Sequence, residues 1–382
     1  ETIDAANTIV MPGFIDTHRH VWRSLFRNLG DGVGEASQLR PDDVYAATLV
    51  GLLGAAEAGI TTVVDWADVT VDEETTQAAL QAHADAGLRT VFVHPSPGRD
   101  QVGDEHAPLA QMTPAPGPNV TVAYGAALSG VELEQVHREW IRARELGLRI
   151  HAHAGTDPAE TGSVAKLAQA DLLGADVTLV HCSHLNDADL DAIAAAGASV
   201  SSAPSAEMTG GLGSPPLQRL LDRGIEPGLA VDDDRITPGD MFAQMRITNS
   251  LQHAAYFDLK LAGKAGLPNL LTTRDVIRYG TIVGARTAGL ARLTGSLEVG
   301  KQADLIVLRT DRPNIHPIND PIGAVVWGMD TSNVDWVLVG GRPLVSHGEL
   351  DADVTKVRQL AAAARERIVD PAGVATGSGE ER

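Results

Sequence analysis

NVTVAYGAALSGVELEQVHREWIRARELGLRIHAH, Asn119 to His153, holds a strand, a helix and a second strand in one unit. Asn119 to Gly125 is a short β-branched run. Ser129 and Glu132 then read as a capping box, Leu133, Val136 and Trp140 as a helical stripe, and Gly147 as the residue that closes the helix. Leu148 to His153 starts the next strand. Similar runs stand at GFIDTH (Gly13–His18), Gly59–Trp66, Arg89–Pro95, Asp176–Cys182, Ala198–Pro204 and Gly228–Asp232. Asn186 and Asp189 open a further helix that Gly197 ends. Eight strands at intervals of roughly 20–45 residues, most of them separated by helices, predict parallel βαβ units and a (β/α)8 TIM barrel of the α/β class. A doubly wound sheet is the competitor, but no Gly-x-Gly-x-x-Gly turn follows the first strand.

The barrel is expected over 10–295. Beyond Gly295 the pattern turns antiparallel, in GSLEVGKQADLIVL and VDWVLVGGRPLV. Residues 296–350, with 1–9 contributing ANTIVMP, are expected to form a small β-sandwich domain built from the chain termini. A C-terminal helix and a disordered tail are expected over 351–382, the tail including the Gly-rich GVATGSGEER from Gly373.

The formal charge of −20 repels phosphate backbones and anionic lipid, which argues against nucleic acid or membrane as partner. No apolar run of about 20 residues appears. The start, ETIDAANTIV, has no export signal, and Cys182 is the single cysteine. Together these point to a reducing, cytoplasmic setting.

Polar residues at the C-terminal ends of barrel strands face a common mouth. The runs end in His18 and His20, Asp65, His94, His151 and His153, His181, and Asp232. His18 and His20, two apart, could share one face and one ion. Imidazole and carboxylate without thiolate suit a single divalent metal, zinc or alternatively iron. Three His, one Asp and a water would leave an open position, and the metal would bring the water's pKa towards roughly 7. A serine nucleophile is disfavoured, because no Gly-x-Ser-x-Gly elbow is present.

PGFIDTHRH, IHAH, LVHCSHL, GLAVDDD with GDMFAQMR, and GSLEVGKQADLIVL resemble the amidohydrolase superfamily. The resemblance is to its mononuclear cytosine deaminase, S-adenosylhomocysteine deaminase and triazine hydrolase branch, and it runs in order from Ile9 to about Leu350. It implies a hydrolase that uses metal-activated water on a carbon–nitrogen bond of a small neutral heterocycle, by deamination or cyclic amide cleavage. A triazine-type hydrolytic dehalogenase is the alternative, and a non-catalytic binder a further one. Carried over, His18, His20, His153 and Asp232 are metal ligands. His181 shuttles protons and Asp232 accepts one from the water. His151 lies one layer deeper, His184 on the following loop, and Asp233 and Asp234 on a solvated loop or helix start. Trp22 and Trp66 are candidates to stack on a flat ligand.

Two departures follow from the same resemblance. The branch usually has a glutamate three residues after the strand-five histidine, where this chain has Thr156. A hydroxyl cannot replace a carboxylate in proton transfer, so Glu207 is the candidate to supply one from another side. Relatives also usually carry more strands before PGFIDTH, so the small β-unit is expected to be incomplete. Strand four lacks the lysine that bridges two metals, which favours one. Members of this kind are often homo-oligomers, dimers or larger.

Overall fold

The computed structural model describes residues 2–29, 38–70, 72–95, 117–129 and 131–368. Runs rich in Val, Ile and Thr become strands because branched side chains suit a buried pleated surface. Thr8–Pro12 is β1. The eight runs follow as β2 (Phe14–Arg19), β3 (Ile60–Trp66), β4 (Arg89–Pro95), β5 (Val120–Ala126), β6 (Ile150–Ala154), β7 (Val177–His181), β8 (Ser199–Ser202) and β9 (Gly228–Leu229). From β2 to β9 each strand pairs in parallel with the next in chain order. A parallel bridge between Arg19 and Asp232 brings the eighth wall back to the first. The His20 amide donates to the Asp232 carbonyl at 2.9 Å, and the Asp232 amide to the His18 carbonyl at 2.9 Å. The result is a nearly closed parallel barrel.

The ladder of β9 is only two residues long, shorter than the apolar run Gly228–Asp232. The chain leaves extended geometry by Asp232, which has a left-handed φ of 66°. Asp187–Ala196 starts as expected: the Asn186 side chain accepts from the Asp189 amide, and Gly197 closes the helix at φ 67°. The helix after β5 starts later than its sequence suggests. It runs Leu133–Glu145 from Glu132, which makes no side-chain cap, and Ser129 lies in a turn three residues earlier. Burial sets this helix rather than a cap: Val136, Trp140 and Ala143 face the barrel, and Trp140 is fully buried. Burying a side chain the size of Val136 contributes about 1.5–3 kcal/mol.

After the barrel come β10 (Leu305–Arg309), β11 (Val334–Val339), β12 (Arg342–Ser346) and β13 (Glu349–Leu350). They form one antiparallel sheet in the order β1-β10-β11-β12-β13. β1 and β10 pair without a break from Thr8↔Arg309 to Pro12↔Leu305, so the start of the chain is built into the sheet of its end. Where a two-sheet sandwich is expected, the described strands make a single layer. Its inner side chains, Met11, Ile306, Leu308 and Val337, share a cluster with Leu52, Leu53 and Phe14 of the barrel. The buried pair Arg89–Asp304, 2.6 Å, ties β4 to the residue before β10. Val354–Ile368 is the C-terminal helix, and the expected tail from Gly373 lies outside the described residues. Among the described residues no helix is long and apolar enough to cross a membrane.

Candidate active site

β2 delivers His18 and, one residue past its end, His20; β6 delivers His153, and the turn after β9 delivers Asp232. These side chains meet. His18 Nε2 lies 3.2 Å from His153 Nε2 and 3.3 Å from Asp232 Oδ1, and His20 Nε2 lies 3.5 Å from the same oxygen. Burial, aided by the neighbouring histidines, pushes His18 down to about 4 and His153 well below the usual histidine range. Both rings are therefore neutral near pH 7, with lone pairs to offer. Burial alone would raise Asp232, but its hydrogen bond with His18 and the charges of His181 and His20 hold it below the carboxylate range.

This arrangement fits a divalent ion. Two donors each about 2.0–2.1 Å from one zinc lie about 3.0–3.4 Å apart, close to the separations seen here. His18 Nε2 has both His153 Nε2, at 3.2 Å, and Asp232 Oδ1, at 3.3 Å, beside it, so three possible donor atoms gather within the reach of one ion. The set has no thiolate, as suits zinc and similar metals bound through nitrogen and oxygen.

His20 is held from behind by Asp68, whose Oδ2 is 2.9 Å from His20 Nδ1. Asp68 also accepts from Trp22 Nε1 at 2.5 Å and from Arg23 at 3.2 Å. Burial opposes its charge, but His20, Arg23 and Trp22 prevail and lower its pKa to about 2. Sequence reasoning missed Asp68. It sits on the loop three residues past Asp65, in DWAD, beyond the strand ends where ligands were sought.

His181 Nε2 is 3.9 Å from Asp232 Oδ2, and its Nδ1 is 3.4 Å from Glu207 Oε1. By strict alternation His181 would share the side of Val177 and Leu179, which pack in the outer core. Left-handed backbone at His181 (φ 74°) and Cys182 (φ 62°) breaks that alternation. Such conformations cost about 1–3 kcal/mol each and mark places where the surroundings dictate the backbone. Burial lowers the pKa of His181, but Glu207, Asp232 and Glu160 outweigh it and raise the value above the ordinary one.

The remaining expected residues divide. Trp66 stays at the site, its ring 4.3 Å from that of His153. Trp22 is occupied with Asp68 and packs edge-on against Phe26. Glu207, fully buried, also accepts from the Ala203 amide at 2.8 Å and Ser202 Oγ at 3.1 Å. Its carboxylate thus faces the back of His181. Thr156 donates through its amide and its hydroxyl to Glu160. His151 lies deeper, and burial, together with the Arg149 charge, lowers it to about 3.

Three expectations need correction. Asp65 does not face the mouth: it accepts from the Val21 amide at 3.1 Å and pairs with His83 at 2.8 Å on the helix Glu73–Ala86. Strand alternation puts Val64 and Trp66 inside and Asp65 outside. His94 likewise shares the side of Phe92 and lies 3.4 Å from the Thr70 hydroxyl. Asp233 and Asp234 are not solvated; both are 4% exposed. Asp234 pairs with fully buried Arg19 at 2.7 Å, with Arg27 at 2.7 Å, and accepts from Ser24 at 2.8 Å. Asp233 pairs with Arg23 and Arg235. Buried arginine requires such partners.

A model of the amidohydrolase family matches residues 9–344. The chain is similar to the 5'-deoxyadenosine deaminase of Methanothermobacter thermautotrophicus, 28% identical over 95% of this chain and 88% of that protein. It is also similar to the 5-methylthioadenosine/S-adenosylhomocysteine deaminase of Desulfitobacterium hafniense, 27% identical over 92% and 84% of the two chains. Among solved structures, an adenosine deaminase from Xanthomonas campestris with bound zinc aligns at TM-score 0.81 with 21% identity, covering 94% of this chain and 86% of that one. The atrazine chlorohydrolase of Arthrobacter aurescens complexed with zinc aligns at 0.79 with 20% identity, covering 95% and 89%. These two structural likenesses concern the fold.

Proposed function

Because the chain belongs to the amidohydrolase family and is a metal-dependent hydrolase of carbon–nitrogen bonds, we propose that it removes the amino group of a small neutral heterocycle, of the aminopurine nucleoside kind, as ammonia. The observation that carries this is a pair of donor clusters that share His18, one with His20 and Asp232 and one with His153 and His181, with His181 3.9 Å from Asp232.

In this reading those four residues hold one divalent ion, zinc in preference to iron. When bound, the ion lowers the pKa of a water towards about 7 and so supplies a nucleophile at neutral pH. Asp232, ionised in this setting, accepts a proton from the attacking water. His181 Nε2 faces the far oxygen of Asp232 and moves that proton on to the departing amine. Glu207 accepts a hydrogen bond from His181 Nδ1–H, which leaves Nε2 as the working nitrogen. Trp66, beside His153, walls the site with a flat apolar face suited to a ring. A homo-oligomer, dimer or larger, completes the reading.

The test is ammonia release by zinc-loaded protein from amino-substituted purine nucleosides, pyrimidines, pterins and triazines, with metal determined on the same sample. His18→Ala and Asp232→Ala are expected to lose both metal and turnover; turnover kept by either would overturn the assignment. Thr156 favours one second reading, displacement of halide from a triazine ring, because a hydroxyl there cannot relay a proton to the ring. Chloride release from a chlorinated triazine, with no ammonia from the panel, would select it.

A further inference from the structure

Among the described residues no cation lies against Glu160, a buried carboxylate. It is 9% exposed and ends the turn Pro158–Glu160, seven residues past His153. Among the described residues its hydrogen bonds come from one partner: the Thr156 amide donates to Oε2 at 3.1 Å and the Thr156 hydroxyl to Oε1 at 3.2 Å. A carboxylate has about four lone-pair positions, and these contacts occupy two. Withdrawing such a group from water without a counter-ion costs free energy, so a purely structural role should be one that nothing else fills. Here the turn is already capped, since Asp157 accepts from the Ala159 amide at 2.7 Å.

The other carboxylates around the metal site are committed. Asp232 faces His18 and His20, Asp68 serves His20, Trp22 and Arg23, and Glu207 serves His181, Ser202 and Ala203. Among the described residues Glu160 keeps free lone pairs; it stands on the loop that leaves β6 just past His153, and its charge acts on His181. Thr156 then gains a purpose: it is the peg from which a carboxylate four residues onward is hung.

We propose that Glu160 is the catalytic carboxylate that serves the substrate's ring nitrogen, an inference resting on the deaminase reading above. The water oxygen bonds to the ring carbon that bears the amino group. Glu160 takes one water proton and delivers it to the ring nitrogen beside that carbon. The second water proton travels through Asp232 and His181 to the amino group, whose bond to carbon breaks. The products are ammonia and a ring carbonyl with an adjacent N–H. The substrate must therefore present an unsubstituted ring nitrogen next to its amino-bearing carbon.

The experiment compares the whole zinc-loaded protein with its Glu160→Gln variant on whichever amino heterocycle releases ammonia. We expect metal content and melting temperature to hold, KM to stay within about threefold, and kcat to fall by about 100-fold or more. Thr156→Glu added to Glu160→Gln should recover at least about tenfold of that loss, because a carboxylate returns to the same loop, whereas a loop-closing role would not be rescued. Should Glu160→Gln fail to fold, Thr156→Val removes the hydroxyl donor and keeps the carboxylate, and kcat should fall about tenfold. Near-wild-type kcat in Glu160→Gln, or in Thr156→Val where that variant is the test, overturns the inference while the deaminase reading stands. One zinc per chain with no ammonia from any substrate overturns both.

Discussion

Replacing Asp68 with Ala removes the carboxylate 2.9 Å behind His20 without touching any of the four proposed ligands. Outer partners that orient a ligating histidine are typically worth 10–100-fold in metal affinity, or about 1.4–2.8 kcal/mol at tenfold per 1.4 kcal/mol. Under saturating metal the folded state loses that much of its metal-linked stability. With 382 residues and an unfolding entropy of about 2.1 cal/mol/K per residue, the loss lowers the melting temperature of the loaded protein by about 2–3.5 °C beyond any change in the metal-free protein. Competition with a chromophoric chelator measures the affinity directly, and paired melts with and without metal measure the linked part. Asp68→Asn, which keeps an acceptor oxygen but not the charge, should fall between wild type and Asp68→Ala. An Asp68→Ala protein that binds metal within about twofold of wild type would refute the reasoning, since Asp68 would then orient nothing.

Asp234→Ala leaves the Arg19 guanidinium buried without its 2.7 Å partner and should destabilise the fold by about 3–5 kcal/mol in urea titrations. Arg19→Met combined with Asp234→Leu should recover part of that, because the buried Arg19 charge goes with its partner while Arg27 and Asp16 each lose one; a double variant as unstable as the single one would count against the ion-pair account. Glu207→Gln preserves shape but removes the charge behind His181, and kcat should fall about 10–100-fold with metal content unchanged. Loss of metal alongside activity would mean that Glu207 supports the ligands and not His181.

The barrel was legible because parallel strands covered on both faces read as continuous β-branched runs, and seven of the eight ladders end within about two residues of those runs. β9 was read too long, because its end is set by the turn at Asp232 rather than by composition. His18, His20, His153 and Asp232 could be named together since strand ends are visible in sequence. Asp65 and His94 were read into the mouth because their place at a strand end was noted and their side of the pleat was not; Trp66 next to Asp65 could have settled it. Asp68 and Glu160 were out of reach for another reason. Both act from loops, where no periodicity says which way a side chain turns. The same holds for Asp233 and Asp234, whose apparent solvent loop is drawn inward by Arg19, a charge seen in sequence only as the residue between two histidines.

The seam between β2 and the eighth wall is joined by few backbone bonds and many side chains. Asp16 accepts from the Val231 amide at 3.0 Å, and Arg19 reaches across to Asp234. His18 and Asp232, on either side, are also two of the proposed metal ligands. One edge of the mouth thus carries two duties through neighbouring side chains, and almost any change there damages both at once. The loop leaving β6, which carries Thr156 and Glu160, bears no such double duty. Descendants of this chain that acquire new substrates should therefore record their divergence on that loop, while the seam stays nearly as it is.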